Sequence, residues 1–159
     1  METQLIIGLL LTVLPVFELR GGLPIIVEYC LRNSYPIWPY FFIVILLNIL
    51  VIFFVFLFFD FLHKELLRFS GYRRLIGKVL TRVQKKAEKI DSKTRGLEYF
   101  ALMLLVAIPL PGTGAWTGTM IAWILGLNRL KSYVAISLGI LIAGLLVLLF
   151  SWGFLFGLY

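Results

Sequence analysis

The sequence predicts an all-α integral membrane protein. Each half of an inverted repeat would be a re-entrant helical hairpin followed by a transmembrane helix, with a basic amphipathic cytoplasmic helical segment between the repeats. Three observations predict this. Of 159 residues, 61% are apolar and 14% charged, with a mean hydropathy of +1.00; soluble domains run at about 45–50% and about 25%. The apolar residues form four blocks, two unbroken and two interrupted by Gly/Pro clusters. The net charge of +7 gathers in one segment, because residues 60–98 hold eleven Lys/Arg against five Asp/Glu. A basic block between apolar segments is the positive-inside signature of a cytoplasmic loop.

The length suits a single membrane domain over residues 1–159. Its first element, 1–33, is the first re-entrant hairpin. Residues 5–17 are apolar, too few for the roughly 20 that a spanning helix needs. Glu18-Leu19-Arg20-Gly21-Gly22-Leu23-Pro24 then interrupts the run, and 25–31 resumes it. Glu2 stands where a secretory signal has basic residues, and no small-residue cleavage site follows, so the segment reads as retained. Residues 36–59 form the first plain transmembrane helix, polar inside only at Asn48, whose amide is expected to bond across helices as structural glue. Asp60 and His63 close that span as a solvated helix end, with a gating role open to His63 because imidazole titrates near neutrality.

Segment 60–97 is the basic connector. Leu62, Leu66, Phe69, Ile76, Val79, Leu80 and Val83 recur at three- and four-residue steps with Lys/Arg between them. Two readings stand: an amphipathic helix on anionic headgroups through Arg73, Arg74, Lys78, Arg82, Lys85 and Lys86, or a solvated connector, with a bend at Ser70-Gly71. Residues 98–128 form the second hairpin, where Pro109-Leu110-Pro111-Gly112-Thr113-Gly114-Ala115-Trp116 parts two short apolar arms. Residues 132–156 form the second plain span, with Gly139, Ala143 and Gly144 as small residues where another helix, including that of a homodimer partner, can approach.

The halves correspond in pattern rather than identity. Pro15 and Pro109 lie 94 residues apart, and Pro24 and Gly118 each follow nine residues later. Gly and Pro clusters at membrane depth leave backbone groups unpaired, which is tolerated only where the turn is buried in protein or lines a wet cavity. Such interrupted segments in matching places of two halves point to a transporter-type site. With segment 60–97 cytoplasmic, the first hairpin enters from outside and the second from the cytoplasm, with both termini outside. Arg129 and Lys131 then join the cytoplasmic side, and only Arg32 lies outside. A simple four-span topology would place Arg129 and Lys131 opposite the basic loop, against the positive-inside rule.

The chemistry falls at the interruptions. Glu18 and Arg20 are the charged pair inside a broken hairpin, and ionisable residues at membrane depth mark function by default. Glu18 could exchange protons or hold a cation; Arg20 could be its counter-ion or grip an anionic headgroup. The alternative is a structural salt bridge that pins the tip. Gly21, Gly22 and Pro24 lie beside them as open backbone. The second tip offers Pro109, Pro111, Gly112, Thr113, Gly114, Trp116 and Thr117. Its half-helix N-terminus could face an anion or Glu18 itself. Trp116 could stack over a ligand, with aromatic packing the plainer role. Thr119 adds a hydroxyl.

The Glu18–Pro24 and Pro109–Gly118 stretches together resemble the paired motifs of the small multi-drug export family, itself similar to the DedA (VTT-domain) superfamily. The resemblance covers nearly the whole chain. It implies re-entrant hairpins facing each other across the bilayer and either proton-coupled transport or lipid scrambling. The second motif here carries no acidic residue, where DedA-type patterns tend to have one.

The expected activity is therefore that of a small ion- or proton-coupled carrier in the cell membrane, with its substrate path between the hairpin tips. A lipid scramblase and a non-transporting scaffold acting through the basic segment are the alternatives. Expected partners are membrane lipid, a small-molecule or lipid substrate, and protons. One cysteine, Cys30, and one histidine, His63, exclude a disulfide framework and Cys- or His-rich metal sites. No cofactor is expected. Without a nucleophile–His pairing or a phosphate loop, an enzyme is not expected; without base-reading groups on a soluble face, neither is a nucleic-acid partner.

Overall fold

The computed structural model describes residues 2–66, 68, 96–110 and 112–156. These residues form six helices: α1 (Glu2–Val13), α2 (Glu18–Arg32), α3 (Ile37–Leu66), α4 (Leu97–Ala107), α5 (Ala115–Ile124) and α6 (Arg129–Phe156). Strands are absent among the described residues. At 1.5 Å per residue, α3 and α6 reach about 45 and about 42 Å, beyond a hydrocarbon core of about 30 Å. The four short helices, of 10 to 15 residues, reach only about 15–22 Å.

Two breaks divide the short helices, and one lies elsewhere than expected. The first turn occupies residues 14–17, not 18–24. Pro15 is its cause: without an N–H it cannot continue α1, and the Leu11 carbonyl instead accepts from Leu14 N–H at 3.2 Å. The Glu18–Pro24 motif forms the first two turns of α2. Its glycines serve packing. A Cβ on Gly22 would strike Thr12 Oγ1 and the Gly8 carbonyl, and one on Gly8 would come within 2.7 Å of Ile26 Cγ1. These contacts make α1 and α2 antiparallel and let their backbones meet closely. Pro24 stands inside α2, where it leaves the Arg20 carbonyl without its usual donor.

The second turn lies close to the expected place, over residues 108–114. Gly112 adopts φ +80°, a left-handed conformation suited to glycine. Thr113 Oγ1 donates to the turn's own carbonyls, 2.9 Å from Ile108 O and 3.0 Å from Leu110 O. Thr117 Oγ1 does the same to Gly112 O at 2.6 Å.

The long helices run antiparallel. Tyr133 Oη donates to Ile49 O, and a Cβ on Gly144 would press on Ile45. The first span extends past residue 59, because α3 continues to Leu66. The two hairpins differ in packing: α1 lies chiefly along α2, whereas α4 lies chiefly along α6 and α5 against α3. A Cβ on Gly139 would approach the Met103 carbonyl at 2.7 Å. The small residues Gly139 and Gly144, singled out for a neighbouring helix, thus admit α4 and α3 of the same chain.

Leu23 and Ile26 of α2, Val44 and Ile52 of α3, and Ile136 and Ile140 of α6 are fully buried and form the shared core. Outward, Phe42, Phe53, Phe54 and Phe61 of α3 and Phe150 and Phe154 of α6 are exposed. So much apolar surface on two helices long enough to cross a bilayer belongs in lipid. This is a membrane protein. The amphipathic pattern beyond Leu66, with Arg73, Arg74, Lys78, Arg82, Lys85 and Lys86, lies outside the described residues.

Candidate functional site: the junction of two broken helix pairs

Each break leaves helix-end backbone groups that their own helix cannot pair. The structure pairs them from the other hairpin. The residue before α5 is Gly114, which has no side chain to cap it. Glu18 takes that role from 97 residues away. Its Oε2 accepts from Ala115 N–H at 3.2 Å and its Oε1 from Trp116 N–H at 3.0 Å. Glu18 is 4% exposed, and its backbone sits at φ +48°, a conformation that costs a non-glycine residue about 1–3 kcal/mol. Gly114 admits the carboxylate: a Cβ there would fall directly on it.

Arg20 serves the opposite end of the same turn. Its Nη2 donates to Val106 O at 3.2 Å, to Ile108 O at 3.1 Å and to Thr113 O. The first two are carbonyls at the C-terminus of α4. Arg20 Nη1 lies 3.8 Å from Glu18 Oε2, so the pair's ionic contact is long while its backbone bonds are short. A third cap runs the other way. Trp116 Nε1–H donates at 3.1 Å to the carbonyl of Val13, the last residue of α1. Carboxylate meets the positive end of one helix dipole and guanidinium the negative end of another, the favourable sense in both cases. Hydrogen bonds to charged groups contribute about 1.5–3 kcal/mol each.

The junction thus gathers Glu18, Arg20, Thr113, Gly114 and Trp116, together with the backbone of Ile108 and Ala115. Arg20 Nε is buried without a partner. Other expected site residues stand apart or act indirectly. Gly21 packs on Phe17 and Gly22 on α1. Pro24 lines a groove with Glu28, Phe150 and Phe154. Pro109, Gly112 and Thr117 shape the second turn; Pro111 lies outside the described residues. Trp116 donates its indole N–H to the end of α1. Asn48 bonds within its own helix, Nδ2 to Val44 O at 3.0 Å, rather than across helices.

A second cluster went unread in the sequence. Asp60 was expected to be a solvated helix end. Its Oδ1 instead accepts from Trp123 Nε1 at 3.0 Å and from Arg129 Nη2 at 2.8 Å. Trp123 also stacks on Phe59 and meets His63 edge-on, at 5.6 and 5.3 Å between centroids. The cluster ties the C-terminal end of α3 to the end of α5 and the start of α6. Its partners lie 63 and 69 residues from Asp60, so no local spacing announces it.

Among the described residues, no three His, Cys, Asp or Glu side chains gather as a metal site. No curated protein and no solved structure matches the chain. One family does match, over residues 18–146, beginning at Glu18 and taking in both halves of the junction. The chain belongs to that family, described as "Putative small multi-drug export protein", which makes it at the coarse level a membrane transport protein.

Proposed function

We propose that the two hairpins re-enter the membrane from opposite faces, as an inverted repeat, and that a coupled transport path runs between their tips with Glu18 as the coupling carboxylate. The observation that carries this is the Glu18 cap on α5. Contacts support the placement. The outer ends of α4 and α5 gather with the C-terminal end of α3, through Asp60 and through Tyr99, whose hydroxyl accepts from Asn128 N–H at 3.2 Å. The antiparallel α1 and α2 have their outer ends by the start of α3. A buried junction at the meeting of two hairpins, each too short to span, lies near mid-depth.

Coupling follows from hydrogen-bond chemistry. As a carboxylate, Glu18 accepts charge-assisted bonds from Ala115 and Trp116 and attracts Arg20. Protonation would neutralise it, weaken both backbone bonds and remove the negative charge facing Arg20, whose bonds to the second turn's carbonyls do not depend on it, so one proton would loosen the Glu18 cap on α5. Arg20 is the counter-ion that holds the closed form.

The test is proton-driven substrate flux in reconstituted vesicles. Glu18→Gln keeps shape and one acceptor but cannot ionise, and is expected to reduce flux to the level of empty vesicles while the protein still folds and inserts. Unchanged, pH-dependent flux in that variant would defeat the assignment. Flipping of fluorescent lipid without a gradient, insensitive to the substitution, would point to a scramblase instead.

A further inference from the structure

Where α6 begins, at the outer end of the second hairpin, two grooves run along either side of one side chain. Leu130, 74% exposed, lines both. The first groove, between α3 and α6, is walled by Phe53, Leu57 and Tyr133 and encloses about 360 Å³. The second, between α4 and α6, is walled by Phe100, Met103 and Leu138 and encloses about 490 Å³. Both linings are almost wholly apolar, and each has a cation at its rim: Arg129 in the first, Lys131 in the second.

The cations differ in their commitments. Arg129 pairs with Asp60 at 2.8 Å and lies 5.9 Å over the Phe56 ring. The Lys131 ammonium lies 5.8 Å over the Tyr99 ring, and no carboxylate among the described residues pairs with it. Asp60 faces both Arg129 and Lys64, which leaves the positive charge of Lys131 uncompensated beside the positive end of the α6 dipole. Two open apolar grooves that share Leu130 as a wall, with Arg129 at the mouth of one and Lys131 at the mouth of the other, fit a ligand with one anionic head and two hydrocarbon tails.

We propose that this end of α6 is a seat for an anionic diacyl phospholipid. Its phosphodiester binds Lys131, with Arg129 as a second contact, and its two acyl chains lie in the grooves either side of Leu130. The apolar lining suits tails rather than a peptide backbone, whose polar groups would go unpaired there. The seat is separate from the tip junction and does not depend on how the tips work.

Native mass spectrometry of the full chain in detergent, with equal phosphatidylglycerol and phosphatidylcholine, tests it. The wild-type protein is expected to retain phosphatidylglycerol preferentially. Lys131→Gln should reduce that preference about fivefold, equivalent to the roughly 1 kcal/mol of one basic residue at an anionic lipid surface, whereas Lys131→Arg keeps it. The Lys131 ammonium forms no ion pair among the described residues, so folding is expected to persist, as helical circular dichroism would show. Leu138→Trp, which fills one groove, should lower retention of the diacyl lipid but not of its single-chain lyso form. Equal retention of the two headgroups by the wild type would overturn the seat. So would a preference that survives Lys131→Gln, or one that falls only when Lys85 and Lys86 are neutralised.

Discussion

Glu18 and Gly114 form a pair in which each residue explains the other. Glycine is needed at 114 because the carboxylate of Glu18 occupies the space of its Cβ, and the carboxylate is needed because Gly114 cannot cap α5. Gly114→Ala should therefore evict Glu18 from Ala115 and Trp116 and destabilise the protein by about 1–3 kcal/mol, the cost of buried polar groups left unpaired. Thermal unfolding in detergent would read this. Adding Glu18→Gln to Gly114→Ala should cost less than the two single effects combined, because both act on one contact. Trp116→Phe keeps the ring but removes the donor to Val13, and should cost about 1 kcal/mol. Loss of ligand affinity with no change in stability would instead support a stacking role for Trp116.

At the level of helices, the sequence marked how many breaks there are and which long segments are continuous, but misplaced one of them. Pro15 broke α1 as its missing N–H requires, whereas Gly21-Gly22 and Pro24, read as a turn, lie in a helix. The same residue types serve two purposes. Glycine loosens a backbone, and it also lets two backbones meet, and only the partner decides which. That partner, Gly8 and Thr12 of α1, is legible only once the chain has turned. Gly22→Ala should accordingly force α1 and α2 apart and destabilise by about 1–3 kcal/mol through overpacking, visible as a lower midpoint of thermal unfolding. A neutral result would return Gly22 to the role of a flexible turn. That the charged pair, Thr113, Gly114 and Trp116 belong to the breaks was legible, because charge and turn residues are rare in apolar blocks; that they meet one another rests on contacts about a hundred residues apart. The Asp60–Trp123–Arg129 cluster was not, because an acid and a base at helix ends are ordinary in any membrane protein.

At the scale of the whole molecule, the contacts put the α2–α3 and α5–α6 connections at opposite ends of the bundle. An impermeant thiol reagent should then label Ser34→Cys and Leu125→Cys, each in a Cys30→Ala background, from opposite sides of the membrane. A four-span chain would show both from one side. The Asp60 cluster holds the α5–α6 end. Asp60→Asn keeps an acceptor for Trp123 and loses only the charge facing a well-exposed Arg129, so its effect on stability should stay below about 1 kcal/mol. A much larger loss would show that the ion pair, rather than the indole bond, secures that end.

The reciprocal caps also bear on how the protein is made. The partners that Glu18 and the Val13 carbonyl need are Ala115 and Trp116, about a hundred residues later in synthesis. During that interval the first hairpin has emerged with a carboxylate and a guanidinium that locally have only each other, and with a helix end whose indole donor is still to come. It would wait at the translocon or the membrane surface, in contact with water, until the second hairpin is synthesised. Ribosome-stalled chains ending before residue 113 should leave a cysteine placed near the first tip open to water, and chains extended past α5 should seal it.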